Sequence, residues 1–416
     1  CSMLEDKLEE PFVKEDGRFR ESDYHEAFVL VAKRCQSIGA KYGKDAVAVA
    51  VSDRYTNEEA YAMKRMAEAM GAKILCMNNR ESGLEKVTGL NASPNTIDEL
   101  LSTNLILKVG FKDEDSRVIS LKIKQAEEAG AKVMTICNGE NSLSMLKEIA
   151  KAIIDSGKAM KPAGYDEFAA SLSSVTVSDE AKAMADAYMS AKKAMIVYQQ
   201  NFLTTDGAAL VADIAMLSGH IGAPRDGILQ VKAKNNSQGL IDMGITAGKE
   251  ALEGVKALVV FGENAKIDTD ALEFLAVCDT HMTELGAKAD VVIPGTGFAS
   301  VDGTFTNTER RMQLVQAAID EDVIFNNWEV AAEIAHIFEV DLDWDGTDDI
   351  SDEMSDTVEA YKYAEIGEVL GGVLAPAEGA ALVAVEDGSA FEELPCTDSL
   401  MQVISMRLPK PANPTA

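Results

Sequence analysis

Along the chain, short runs rich in valine, leucine and isoleucine alternate with longer stretches whose apolar residues recur at helical spacing. DAVAVAV at 45–51, ILC at 74–76, NLILKVG at 104–110, KVMTIC at 132–137 and AMIVY at 194–198 read as strands. Between them, residues 22–42, 58–70, 116–129, 143–156, 180–190 and 205–218 read as helices, with Gly71, Gly130 and Gly219 as stops. Ser22 is the expected cap of the first helix, with Glu26 in its first turn. Strands continue at 255–261, 275–279 and 290–294, the last ended by Pro294, and an amphipathic helix comes after them at 328–338. This alternation predicts a mainly parallel, doubly wound α/β fold. Residues 77–99 read as irregular, 157–179 as a connection, 222–244 as a long polar loop and 302–307 (DGTFTN) as a loop beyond a strand end. The acidic stretch 341–357 reads as a solvated linker, and the remaining residues, ending in PKPANPTA, as a flexible tail.

Composition narrows the picture. The chain has 416 residues, is 47% hydrophobic and carries a net charge of −30. That length allows about two to four domains. The charge argues against nucleic acid and anionic membranes as partners. No run reaches the roughly 18 apolar residues of a membrane span, so a cytoplasmic protein is expected. The six cysteines are scattered, without a CxxC, and the four histidines are dispersed. Reduced thiols and no metal cluster built from these alone are therefore expected. The acidic clusters near residue 345 lack the terminal glutamate of an EF-hand loop.

Candidate chemistry sits in loops at strand ends, where open α/β sheets bind ligands. These are 53–57, 110–113, 138–141, 262–264 and 302–307, joined by 232–239. GxGxxG, Walker A and GxSxG patterns are absent.

The region from Ala289 to Gln313, ADVVIPGTGFASVDGTFTNTERRMQ, resembles the molybdopterin oxidoreductases, in particular the formate dehydrogenase large subunit and the large iron–sulfur subunit of NADH:quinone oxidoreductase. LEEPFVKEDGRF at 8–19, DRYTNEE at 53–59, SGHIGAPRDG at 218–227, NNSQGLIDMG at 235–244 and GEN at 262–264 match further motifs in the family's order. The resemblance implies two interleaved Rossmann-like domains, the first from residues 20–75 and 240–296, the second from 76–239. Residues 1–19 and 297–340 would form a small region beside the cofactor, and 341–416 a linker and tail, without the family's C-terminal β-barrel. It also implies a site for molybdopterin guanine dinucleotide at Asn235, Gln238, Asp242, Gly262, Glu263, Asn264, Thr304, Thr306, Asn307 and Arg310. Amides and hydroxyls of this kind suit purine and pterin edges.

The same resemblance marks departures. The family carries C-x-x-x-C-H at its metal; here Cys76 is followed by Arg80 and Glu81. The arginine that would hold formate is matched by Lys232, which keeps the charge and loses the bidentate fork. No catalytic residue is therefore assigned. An N-terminal [4Fe-4S] cluster would need cysteines upstream of Cys1, whose place as the last ligand is the only candidate. The expectation is a redox-complex subunit, partnered by iron–sulfur or flavin proteins, that serves as scaffold and electron-transfer neighbour without metal catalysis. The alternatives are an active formate dehydrogenase with bound bis-pterin cofactor, and a non-redox protein that binds a nucleotide-like ligand.

Overall fold

A computed structural model describes residues 6–136, 142–319, 324–386 and 388–390. It contains strands β1 (Phe12–Glu15), β2 (Arg18–Glu21), β3 (Val47–Val51), β4 (Lys73–Leu75), β5 (Leu105–Val109), β6 (Lys132–Ile136), β7 (Ala194–Gln199) and β8 (Gly227–Val231). The later strands are β9 (Ala257–Phe261), β10 (Phe274–Asp279), β11 (Val291–Pro294), β12 (Gly303–Thr306) and β13 (Met312–Val315). The α-helices are α1 (Tyr24–Tyr42), α2 (Asn57–Met70), α3 (Gly83–Thr88), α4 (Arg117–Glu128), α5 (Ser142–Asp155), α6 (Tyr165–Ser171), α7 (Asp179–Ser190), α8 (Thr205–Ser218), α9 (Ser237–Asp242), α10 (Asn327–Ile337) and α11 (Thr347–Thr357).

Two sheets organise these elements, in agreement with the predicted doubly wound class. One has the order β2-β1-β11-β10-β9-β3-β4, parallel from β11 to β4 with an antiparallel hairpin at its edge. The other, β6-β5-β7-β8, is parallel throughout and is built from the chain between β4 and β9. Strands covered on both faces need apolar side chains in both directions. Accordingly β3 (VAVAV) and β9 (ALVVF) are buried at every position.

Helix ends obey capping chemistry. Thr56 and Glu59 form a reciprocal capping box on α2, and Gly71 closes it with φ 62°. In α1 the cap is Asp23 rather than Ser22: the Asp23 carboxylate accepts the Glu26 amide at 2.8 Å, while the Ser22 hydroxyl donates to the Glu26 carboxylate.

Several segments read as loops are ordered elements. Residues 77–99 contain α3, 157–179 contain α6, and 222–244 contain β8 and α9. Residues 302–307 are not a solvated loop: they hold β12, the first strand of a hairpin with β13. The acidic stretch is not a linker: its residues 347–357 form α11, which buries Ile350 and Met354, one turn apart, leaves its aspartates exposed and has Glu353 accept from Tyr61 and Trp344. The described part of the chain beyond it, up to residue 390, is a strap over the second sheet's helices rather than a free tail. Leu374, Ala377 and Leu382 donate backbone hydrogen bonds to Pro94, Thr88 and Ala163, and Leu382 and Ala390 are buried. Cys1, the turn at 138–141 and the final PKPANPTA lie outside the described residues.

Candidate functional site

Register brings four strand ends of the first sheet to one level. Val51 pairs with Phe261, Phe261 with Cys278, and Cys278 with Ile293. The loops beyond these ends therefore open along one edge, the place where α/β sheets present ligand sites. They enclose a cleft of about 110 Å³ lined by Arg54, Tyr55, Gly262, Glu263, Asn264, Asp279, Thr280, Phe298 and their neighbours. Gly262 is required here: its φ is 66°, and a Cβ would sit 2.6 Å from the Tyr55 ring. Glu263 is buried and accepts the Asn78 side-chain amide at 3.1 Å; Asn264 accepts the Leu285 amide at 3.1 Å. Glu59 lies at the cleft's inner end. It accepts the Thr56 amide at 2.8 Å and the Asn327 amide group at 2.6 Å, and burial pushes its carboxyl up to about 7.

Asp279 and Thr280 were not among the residues singled out from the sequence. Their signal is positional: Asp279 ends β10 and Thr280 follows it, at the level where Gly262 follows β9.

The remaining predicted residues do not share this cleft. Thr304 and Thr306 turn into a buried polar network with α2. The Asn57 amide donates to both hydroxyls at 3.0 and 3.1 Å, and Glu58 accepts the Thr304 amide and hydroxyl, each at 2.7 Å. Asn236 accepts the Thr306 amide at 2.8 Å and donates to the Tyr55 carbonyl at 2.8 Å. The Asn307 side chain accepts the Glu309 and Arg311 amides, shaping the turn of the hairpin. Arg310, with φ 64°, is buried and donates to the carbonyls of Ser93, Leu370 and Gly372. It thereby joins the hairpin to the strand-poor stretch before β5 and to the strap. Asn235 is exposed and donates to the Arg54 carbonyl at 3.2 Å, near the cleft.

A second polar region lies where the two sheets' carboxyl edges face each other. Asp53, Cys76, Asn78, Gln200 and Ser237 line a gap of only about 10 Å³ there. That is at the lower limit for a single water. Asp53 accepts Asn78 at 3.0 Å and the Ser237 hydroxyl at 2.5 Å. Burial, with Asp53 and Glu263 nearby, raises the Cys76 thiol well above its usual range. Arg80 reaches across from the first sheet's side and donates to the buried Leu203 carbonyl at 2.6 Å. Lys232 is buried with its ammonium nitrogen 3.4 Å from the Asn91 carbonyl and side-chain oxygens. Burial pulls it down to about 7, opposed by Asp242 and Glu85. Gln238 donates to Asp242 at 2.8 Å, and burial lifts that carboxyl to about 6, opposed by Gln238, Lys232 and Arg310. Among the described residues, no group of three or more His, Cys, Asp or Glu side chains is arranged to hold a metal ion.

Residues 7–335 match the family model of the molybdopterin oxidoreductases. The chain belongs to that family. Within it, the chain is 26% identical to the alpha subunit of F420-dependent formate dehydrogenase 2 of Methanococcus maripaludis, over 86% of this chain and 66% of that protein. It is 24% identical to formate dehydrogenase H of Escherichia coli, over 88% of this chain and 65% of that protein. The chain thus spans less than two thirds of the length of these formate dehydrogenase relatives. The fold is shared with acetylene hydratase from Pelobacter acetylenicus: TM-score 0.69 and 14% identity, covering 92% of this chain and 70% of that one. It is also shared with a chain of the formyltransferase/hydrolase complex FhcABCD from Methylorubrum extorquens: TM-score 0.51 and 16% identity, covering 79% of this chain and 98% of that one. Family members bind molybdopterin. Among the described residues of this member, no helix is long and apolar enough to cross a membrane.

Proposed function

We propose that this chain is a formate dehydrogenase-like subunit of a redox complex that serves as scaffold and electron-transfer neighbour and does not perform metal-centred catalysis. The observation that carries this reading is the side chain at the metal position. Arg80 stands where the family's metal-ligating cysteine would be, and one nitrogen of its guanidinium donates to the Leu203 carbonyl. Guanidinium is no ligand for molybdenum or tungsten, which take soft thiolates in such enzymes. The raised Cys76 thiol disfavours the thiolate that ligation needs. Lys232 cannot grip a carboxylate as a bidentate arginine does. These residues do not fit a catalytic metal, and no reaction step is derived through one. Relatives named as a subunit alpha and as part of the FhcABCD complex support the subunit role.

Elemental analysis of the complex isolated from its native source tests the reading. The expected result is molybdenum and tungsten far below one per chain; either metal at one per chain would overturn it.

A second reading, binding of a nucleotide-like ligand without redox chemistry, is favoured by the open edge cleft around Gly262, Glu263, Asn264 and Asp279. Its volume is below the roughly 300 Å³ of ordinary ligand pockets and suits one heterocycle rather than a whole dinucleotide. Calorimetric titration with guanosine diphosphate separates the two readings: saturable binding supports the second, and no heat at millimolar ligand rejects it.

A further inference from the structure

The hairpin of β12 and β13 has one closed edge and one open edge. On β12 the outward amides of Thr304 and Thr306 are taken by Glu58 and Asn236. On β13 the outward amide of Met312 donates to the Glu368 carbonyl at 3.1 Å, and its carbonyl accepts the Gly367 amide at 2.7 Å. Backbone groups return to the same edge at every second residue. The register, Thr306 opposite Met312 and Thr304 opposite Leu314, places the amide and carbonyl of Leu314 next on that outer edge. The chain joins this ladder only at Gly367, φ 87°, and runs from there toward Arg310, away from Leu314. Among the described residues nothing pairs with Leu314 on this outer side.

Beside this edge lies a groove of about 520 Å³, bounded by the hairpin, α11 and residues 364–366. Leu314 and Ile366 line it and are 53% and 57% exposed; Met354 and Tyr361 form a buried part of its wall. Asp302, Asp348 and Asp352 also line it, and among the described residues no lysine or arginine does. An open strand edge flanked by apolar side chains invites another strand, and proteins that avoid this place lysine or proline there. The β13 sequence MQLV has neither.

We propose that this edge docks an extended, lysine- or arginine-bearing segment of a partner protein, which pairs with β13 at Leu314 and sets its basic side chains against Asp302, Asp348 and Asp352. An edge strand recognises extended peptide through main-chain bonds, with alternate side chains supplying specificity. The occupant's charge is dictated by the three carboxylates. A second copy of this chain, at −30, is a poor match, and the chain's own course leads away from the groove to Ala390 on the N-terminus of α8. The inference rests on the subunit role and is independent of the metal content.

Two experiments test it. Hydrogen–deuterium exchange is compared between the full chain alone and the native complex, where residues 312–316 should exchange about tenfold more slowly. Carboxyl-to-amine coupling in that complex should join Asp348 or Asp352 to a lysine of another polypeptide. For the isolated chain the probe is a ten-residue peptide of alternating valine and lysine, with the valine–glutamate peptide as its counterpart. The basic peptide should bind, more weakly at higher salt, and the acidic one should not. Leu314→Pro should weaken binding about tenfold while leaving thermal unfolding nearly unchanged, because it removes an outward amide that the hairpin does not use. Asp348→Lys with Asp352→Lys should weaken it similarly. Unchanged exchange in a complex that does assemble would refute the docking site and leave the subunit role standing. Failure of the basic peptide to bind, equal binding of the two peptides, indifference to Leu314→Pro, or coupling to a second copy or to the chain's own lysines would each refute it as well.

Discussion

The edge cleft and the gap between the sheets are built from the same kind of material, loops at the carboxyl ends of parallel strands, and end up opposite in character. At the cleft, Gly262 keeps the backbone low and leaves about 110 Å³ beside Asp279 and Phe298. At the gap, side chains from both sheets meet until about 10 Å³ remains. Space at a strand edge is therefore decided residue by residue. One glycine holds the first region open; Asn78, Gln200 and Ser237 close the second.

Glu59 offers the largest test of that contrast, because it is a buried acid of the open region whose carboxyl burial pushes up. Its folded value near 7 lies above the usual value of 4.5, so between these pH values the folded chain holds a proton that the unfolded chain has released. Stability from this group is complete below about pH 4.5 and is lost as pH rises to about 7, by roughly 3 kcal/mol. Urea titrations across pH 4.5–7.5 should show that Glu59→Gln removes this part of the slope. Glu58, also raised by burial, would leave a residue of slope behind. Gly262→Ala comes next. Positive φ and contact with the Tyr55 ring should cost about 2 kcal/mol, read from the urea midpoint, and the cleft should narrow. Arg80→Ala probes the closed region. Loss of a charged donor from the buried Leu203 carbonyl should cost about 1–2 kcal/mol. A variant as stable as the parent would mean that the Arg80–Leu203 contact does not hold this region together. Phe298→Ala should be the mildest. The side chain is half exposed, so stability should change by less than about 0.5 kcal/mol, while any guanosine diphosphate binding seen by calorimetry should weaken about tenfold through lost stacking.

Much of the framework was readable in the sequence. Valine-rich runs between glycine-stopped amphipathic stretches fixed the alternation, and GEN at 262–264 pointed to the edge where the cleft lies. Three kinds of feature were not readable. The helix α11 is hidden by its own composition, since only Ile350 and Met354 report a buried face among many acids. The strap from 370 to 390 has no periodicity, because loop-to-helix backbone bonds hold it. The third is direction. A motif match locates Thr304, Thr306 and Arg310 without saying whether they face a ligand or the framework, and here buried Asn57, Glu58 and the carbonyls of Ser93 and Gly372 claim them. Asp279 was overlooked because nothing local marks it; only its alignment with Phe261 and Gly262 across the sheet does.

The way the second sheet is spliced into the chain has a mechanical consequence. The polypeptide leaves the first sheet after β4 and returns after β8, and these two crossings carry Arg80 and Lys232. They are where the chain passes from one sheet to the other and back. A side chain that fills the space there also stiffens the joint. By donating from the first crossing to the Leu203 carbonyl, Arg80 fastens the two halves to each other at that joint.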